Sequence, residues 1–212
     1  MFKFLRLTLA AAILAWAAPV WADDSALYDP APPPNSAFVR IIDARGKGEL
    51  QASVGEVAVT VPKSGISPYI VVPAGEQPVA LSTDAGKVTL AAGKYYTIAF
   101  FVAGSPEPKL IEDELLTNPA KSGVYVYNFS DAATIALFAP QPKANVIGDL
   151  APGLSAFRSV NAVTVDLALL AGSETVATFE KVALKRRSGM TFVVFGAAGA
   201  RSGVAVANET AR

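Results

Sequence analysis

The chain contains no cysteine and no histidine. Without cysteine there is no disulfide to staple a small domain, no thiolate nucleophile and no sulfur ligand for a metal. Without histidine there is no imidazole base, so Ser-His-Asp and Cys-His catalysis and the usual zinc and copper sites are excluded. Charge is sparse and balanced, with 18 Lys and Arg against 18 Asp and Glu. No basic block marks a nucleic-acid partner. Beyond residue 22 no apolar stretch approaches the roughly 18 residues of a membrane-spanning helix. A carboxylate pair, a Ser-Lys dyad or a calcium site of oxygen ligands remains chemically open, and no cofactor is expected.

What is there begins with a targeting segment. Lys3 and Arg6 form a positive start, the run from Leu7 to Ala18 is uncharged and dominantly apolar, and Val20-Trp21-Ala22 has the form of a cleavage site. This predicts a signal peptide over 1–22, cut between Ala22 and Asp23, and export to a bacterial periplasm, where a cysteine-free chain is ordinary. Residues 23–212 then hold 16 basic against 18 acidic side chains, a net of −2. Residues 23–35 follow as a Pro-rich arm. Pro30, Pro32, Pro33 and Pro34 impose extended backbone, and Leu27 and Tyr28 are candidate anchors.

From Ser36 one pattern occurs twice. Phe38-Val-Arg-Ile-Ile-Asp-Ala is echoed 85 positions later by Gly123-Val-Tyr-Val-Tyr-Asn-Phe. Lys87 to Phe101 is echoed at a separation of 94 by Lys181-Val-Ala-Leu and then Met190-Thr-Phe-Val-Val-Phe. The second copy therefore carries about nine extra residues in its middle, and two copies are too few for a solenoid. Within each copy the period is two, as in Ala37, Val39 and Ile41 against Phe38, Arg40 and Ile42. Short β-branched and aromatic runs separated by Gly and Pro turns predict strands near 49–54, 57–61, 69–72, 78–82, 86–91 and 95–103. The second copy predicts them near 123–128, 133–138, 145–150, 162–170, 174–178, 181–185, 190–196 and 203–207. The expected fold is all-β: two tandem small antiparallel β-sandwiches, at 36–103 and 122–212, joined by a linker at 104–121.

Candidate chemistry is thin. Glu112-Asp113-Glu114 reads as a solvated or partner-facing acidic segment, since adjacent linker residues do not hold two carboxylates across a sugar and the spacing is not that of a calcium loop. Lys185-Arg186-Arg187 reads as a basic hairpin turn able to grip an acidic partner patch or an anionic polysaccharide. Ser188 and Ser122 lie beside basic residues, but neighbours on a strand point to opposite faces, so neither makes a Ser-Lys dyad. Tyr95, Tyr96, Phe100, Phe101, Tyr125 and Tyr127 could form a sugar-stacking platform, although strand aromatics are mostly core. No set of residues amounts to an active site or metal site.

The linear order of segments resembles the periplasmic alginate O-acetylation family, AlgF, across nearly the whole chain. The resemblance runs through Ala26-Leu27-Tyr28, Ser36-Ala-Phe-Val-Arg40, Leu90 to Ile98 with Tyr95-Tyr96-Thr97, and Pro108-Lys-Leu-Ile-Glu112. It resumes at Asn118, Lys121-Ser122, Asn128, Ser130-Asp131 and Asn161 to Leu169. Asp43 stands where Asn is expected and Tyr125 where the second copy often has Arg, while 139–160 fits poorly. The resemblance implies a periplasmic machine that O-acetylates an exported polysaccharide, alginate-like or cellulose. A member without His implies an accessory or adaptor protein, whose partners would be periplasmic and membrane-bound O-acetyltransferases, with the polysaccharide as a further candidate. Tyr28, Glu112, Asp113, Arg186 and Arg187 are the expected partner contacts. The alternative is a non-catalytic carbohydrate-binding module using Tyr125 and Tyr127.

Overall fold

The computed structural model describes residues 31–45, 48–100 and 107–211. The expected signal peptide with Ala22 and Asp23, the arm residue Tyr28, and Phe101 lie outside the described residues. Among those described, no helix is long and apolar enough to cross a membrane.

Among the described residues every regular element is a strand. In the first half these are β1 (Ser36–Asp43), β2 (Leu50–Val54), β3 (Val57–Val61), β4 (Ile70–Pro73), β5 (Gly75–Leu81), β6 (Asp84–Leu90), β7 (Tyr95–Phe100) and β8 (Lys109–Asp113). In the second they are β9 (Lys121–Ser130), β10 (Ile135–Ala139), β11 (Ala144–Leu150), β12 (Ser155–Asn161), β13 (Thr164–Ala171), β14 (Glu174–Ala183), β15 (Gly189–Gly196) and β16 (Ser202–Ala207). The first domain pairs a sheet of order β4-β1-β7-β8 with one of order β3-β2-β5-β6. The second has β12-β9-β15-β16 and β11-β10-β13-β14, so each strand occupies the place of the one eight before it.

The repeat read from the sequence is thus also a structural repeat. Phe38 lies opposite Tyr95 and Gly123 opposite Gly189, which reproduces the separations of 85 and 94. Pairing is antiparallel except at β1–β7 and β9–β15, which are parallel. A parallel pair needs a long crossover, and here the chain leaves β1, builds the other sheet and returns as β7.

Two strands fall where none was expected. The segment read as a linker contains β8, paired with β7 from Tyr95↔Asp113 to Ala99↔Lys109. The poorly fitting stretch contains β12, paired with β9. The runs 174–178 and 181–185 are one strand, β14, with a bulge at Glu180-Lys181 opposite Asp166; Lys181 has φ 51° and its N–H donates to Asp166 Oδ1 at 2.7 Å.

Each sandwich has its own core. Val39, Ile41, Val54, Val61, Leu81 and Ile98 lie in the first, and Val124, Val126, Leu137, Leu169, Phe192 and Val194 in the second. A third apolar layer joins the domains: Ile42, Ala44, Ile66 and Ala99 of the first meet Tyr125, Tyr127, Phe129, Val193 and Phe195 of the second. The repeats therefore bury the same face, the outer side of the parallel pair, against each other, as a symmetric dimer would. This is why β1 is covered on both sides.

Candidate functional site

In the apolar layer between the domains sits a charged side chain. Arg40 is the central residue of β1 on the face with Phe38 and Ile42, and it is 1% exposed. Its Nε donates to Thr97 Oγ1 at 2.8 Å, the neighbour across the parallel pair. From the other domain, Nη1 donates to Thr191 Oγ1 at 2.6 Å and Asn208 Oδ1 at 3.1 Å, and Nη2 to Tyr127 OH at 2.7 Å. The guanidinium also lies 4.7 Å above the Tyr69 ring and 5.2 Å from that of Tyr127, within cation–π range.

The counter-charge is Asp113, the last residue of β8, 6% exposed. Its Oδ2 is 3.9 Å from Arg40 Nη2, so the charges are joined chiefly through hydroxyls. Tyr69 OH at 2.8 Å and Thr97 Oγ1 at 2.6 Å donate to Oδ2, and Tyr127 OH donates to Oδ1. Thr97 and Tyr127 thus accept hydrogen bonds from the guanidinium and donate hydrogen bonds to the carboxylate. Such a fully partnered network is strong in a low dielectric and very costly when half-broken.

The electrostatics hold these groups in fixed protonation states. Burial works against the Arg40 charge, but Tyr127, Tyr69 and Asp113 outweigh it, and the guanidinium stays above its ordinary range. Burial raises Tyr69 and Tyr127 above the usual phenol range, with Arg40 opposing. Tyr125 is pushed up to about 12 by burial, with Asp113 adding and Arg40 opposing. Arg40 therefore stays charged, and Tyr69, Tyr125 and Tyr127 stay neutral, near neutral pH. The hydrogen bonds from Arg40 to Thr191, Asn208 and Tyr127 tie the two domains together.

The network opens on one side into a cleft of about 320 Å³. Asp113, Tyr69 and Asn208 line it, as do the segment Glu114–Thr117 that leaves β8 and the turn Arg187-Ser188-Gly189. Beside it the chain end crosses back to the first domain: Tyr69 N donates to Glu209 O at 2.8 Å and Ala211 N to Tyr69 O at 2.7 Å.

The residues singled out from sequence separate. Asp113 and Arg187 reach this cleft, but Asp113 is buried, which corrects the reading of the whole acidic cluster as solvated. Glu112, on the opposite face of β8, is exposed and paired with Lys94 at 2.7 Å. Arg186 is exposed and is not among the cleft's lining residues. Ser188 Oγ donates to Lys185 O and Ser122 Oγ to Ser188 O, so neither serine meets a lysine amine. Tyr125 and Tyr127 are 8% and 1% exposed and present no open ring face to a polymer, against the sugar-stacking alternative. Among the described residues no group of His, Cys, Asp and Glu could hold a metal ion.

Sequence reasoning missed Arg40, Thr97, Thr191, Asn208 and Tyr69. A signal existed: a lone arginine in an apolar strand, opposite a threonine that the repeat preserves as Thr191.

The family model described as alginate O-acetyl transferase AlgF matches residues 7–191. The alginate biosynthesis protein AlgF of Pseudomonas syringae pv. tomato is 33% identical over 202 residues, spanning 95% of this chain and 89% of that protein. That of Pseudomonas fluorescens is 34% identical over 191 residues, 90% of this chain and 86% of its own. Among solved structures, the C-terminal domain of AlgF from P. aeruginosa matches with 31% identity over 42% of this chain and 99% of that domain, at a TM-score of 0.38. On the family model and these relatives, the chain belongs to the AlgF family.

Proposed function

We propose that this chain is a non-catalytic, periplasmic accessory protein in the O-acetylation of an exported polysaccharide, alginate or a related polymer, and that it bridges or assists the acetyltransferases. The relatives' names support the pathway. The observation that carries the accessory role is the fate of the chain's chemistry: with no His or Cys in the sequence, the polar cluster built around Arg40 and Asp113 is consumed in joining the domains. The family description names a transferase; in this reading the chain serves that reaction without performing it. Export through a signal peptide cut after Ala22, and a domain boundary within 104–121, belong to the same proposal.

The test is deletion of the gene, followed by measurement of the acetyl content and yield of the secreted polymer, with complementation by the intact chain. The reading expects lost acetylation at unchanged yield. Unchanged acetylation would remove it. Purified protein that turns over an acetyl donor by itself would replace it with an enzymatic role.

A further inference from the structure

Eight strands end the four sheets, and an unpaired strand edge is a template for another chain unless it is blunted. Most are blunted here. β6 carries Asp84 and Lys87, β8 Lys109, Glu112 and Asp113, and β12 Arg158; β4 ends in Pro73; β14 has its bulge and β11 an irregular register. β3 and β16 have no charge, proline or bulge. The apolar side chains of β3, Val57, Val59 and Val61, are committed to the first core. β16, Ser202-Gly-Val-Ala-Val-Ala, is half-exposed along its length.

The hydrogen-bond phase of β16 is set by Asn208 N donating to Gly189 O at 2.8 Å. In an antiparallel pair every second residue turns both backbone groups to the same side. Ser202, Val204 and Val206 therefore face β15, while Gly203, Ala205 and Ala207 turn N–H and C=O outward. Among the described residues no strand pairs with that side.

Beside this edge the second sandwich is open. At Gly203 the two sheets touch, since a Cβ there would lie 2.7 Å from Ala177 Cβ and 2.9 Å from Leu169 Cδ1. Further along they part, leaving a groove of about 690 Å³ lined chiefly by Phe179, Val182, Met190, Ala205 and Ala207, together with Glu180 and Lys185. The groove runs on to Ser188, Gly189, Asn208 and Glu209, which also line the cleft at the domain junction. An apolar groove beside an unpaired, uncharged edge, continuous with an existing interface, fits a β-strand better than a sugar, because only a strand matches a row of alternating backbone donors and acceptors.

We propose that the outer edge of β16 is a docking site for an extended segment of a protein partner, added as a further strand with alternate small apolar side chains seated in the groove. This rests on the accessory reading and names the surface that would serve it.

The test uses the full exported chain and, as probe, a purified periplasmic O-acetyltransferase from the same gene cluster. Amide exchange is read residue by residue with and without that enzyme. Gly203, Ala205 and Ala207 amides are expected to exchange freely alone and to slow roughly tenfold or more in the complex. Ala205→Pro removes an outward donor while sparing the ladder to β15; it is expected to keep the fold and weaken binding at least about tenfold. Ala207→Lys blocks the same edge without a proline and is expected to act alike. A complex that leaves the three amides unprotected, with both variants binding as wild type, overturns this proposal and leaves the accessory reading standing. No complex at all overturns both. Protection already present in the isolated chain means that the arm or a second copy occupies the edge, and it too overturns the proposal.

Discussion

Replacing Arg40 by methionine keeps the length of the stem and removes the guanidinium. Four hydrogen bonds go with it, to Thr97, Thr191, Asn208 and Tyr127. The Asp113 carboxylate stays buried and loses its nearest cation. Removing one partner of a buried ion pair costs about 3–5 kcal/mol, because the remaining charge has neither water nor a counter-ion. For a protein of this size each kcal/mol moves the midpoint by about 2–4 °C, so Tm is expected to fall by roughly 6–20 °C. Because the lost contacts join the two domains, unfolding is also expected to lose its single transition. Thermal unfolding followed by circular dichroism measures the fall in Tm, and urea unfolding the loss of the single transition. The double variant Arg40→Met/Asp113→Asn removes the stranded charge and is expected to recover a coupling of about 1–3 kcal/mol. A loss below about 1 kcal/mol in the single variant, or two single losses that simply add, would refute the view of this cluster as a clamp.

Three further outcomes follow from other parts of the structure. Tyr125 is raised from 10.0 to about 12, and Tyr69 and Tyr127 are raised as well, so the unfolded chain loses these protons first as pH rises. Stability is therefore full below pH 10 and falls between 10 and 12; tyrosinate absorbance should show these side chains ionising only with unfolding, and ordinary reversible titration of all six tyrosines would contradict this. Asn128 donates from Nδ2 to the carbonyls of Ala132 and Leu150, so Asn128→Asp sets a carboxylate oxygen against two carbonyl oxygens. It should cost about 3 kcal/mol or more in urea unfolding. The exposed Lys94–Glu112 pair should matter little, with Glu112→Gln leaving Tm unchanged.

The repeat was legible because side-chain period and strand register are local. The separations of 85 and 94 match Arg40 to Tyr125 and Thr97 to Thr191 across the copies, but only the sheet sets Arg40 beside Thr97 and Tyr125 beside Thr191. The junction was hidden because its bonds join residues 151 and 168 positions apart, and nothing near Arg40 names Thr191 or Asn208 as partners. β8 was hidden by its flanking prolines, and with it the burial of Asp113. The departure at Asp43 has a structural counterpart: it occupies the place of Asn128 in the first repeat, and its buried Oδ2 has no hydrogen-bond partner.

The proposed accessory role requires the Arg40–Asp113 cluster to be a clamp and not a site of chemistry. The most direct measurement is the acetyl content of polymer from a deletion strain complemented with the Arg40→Met/Asp113→Asn double variant, at protein levels matched to wild type. Acetylation restored close to the wild-type value is the predicted result. Lost acetylation from a folded protein present at full level would contradict it and place the cluster in the reaction.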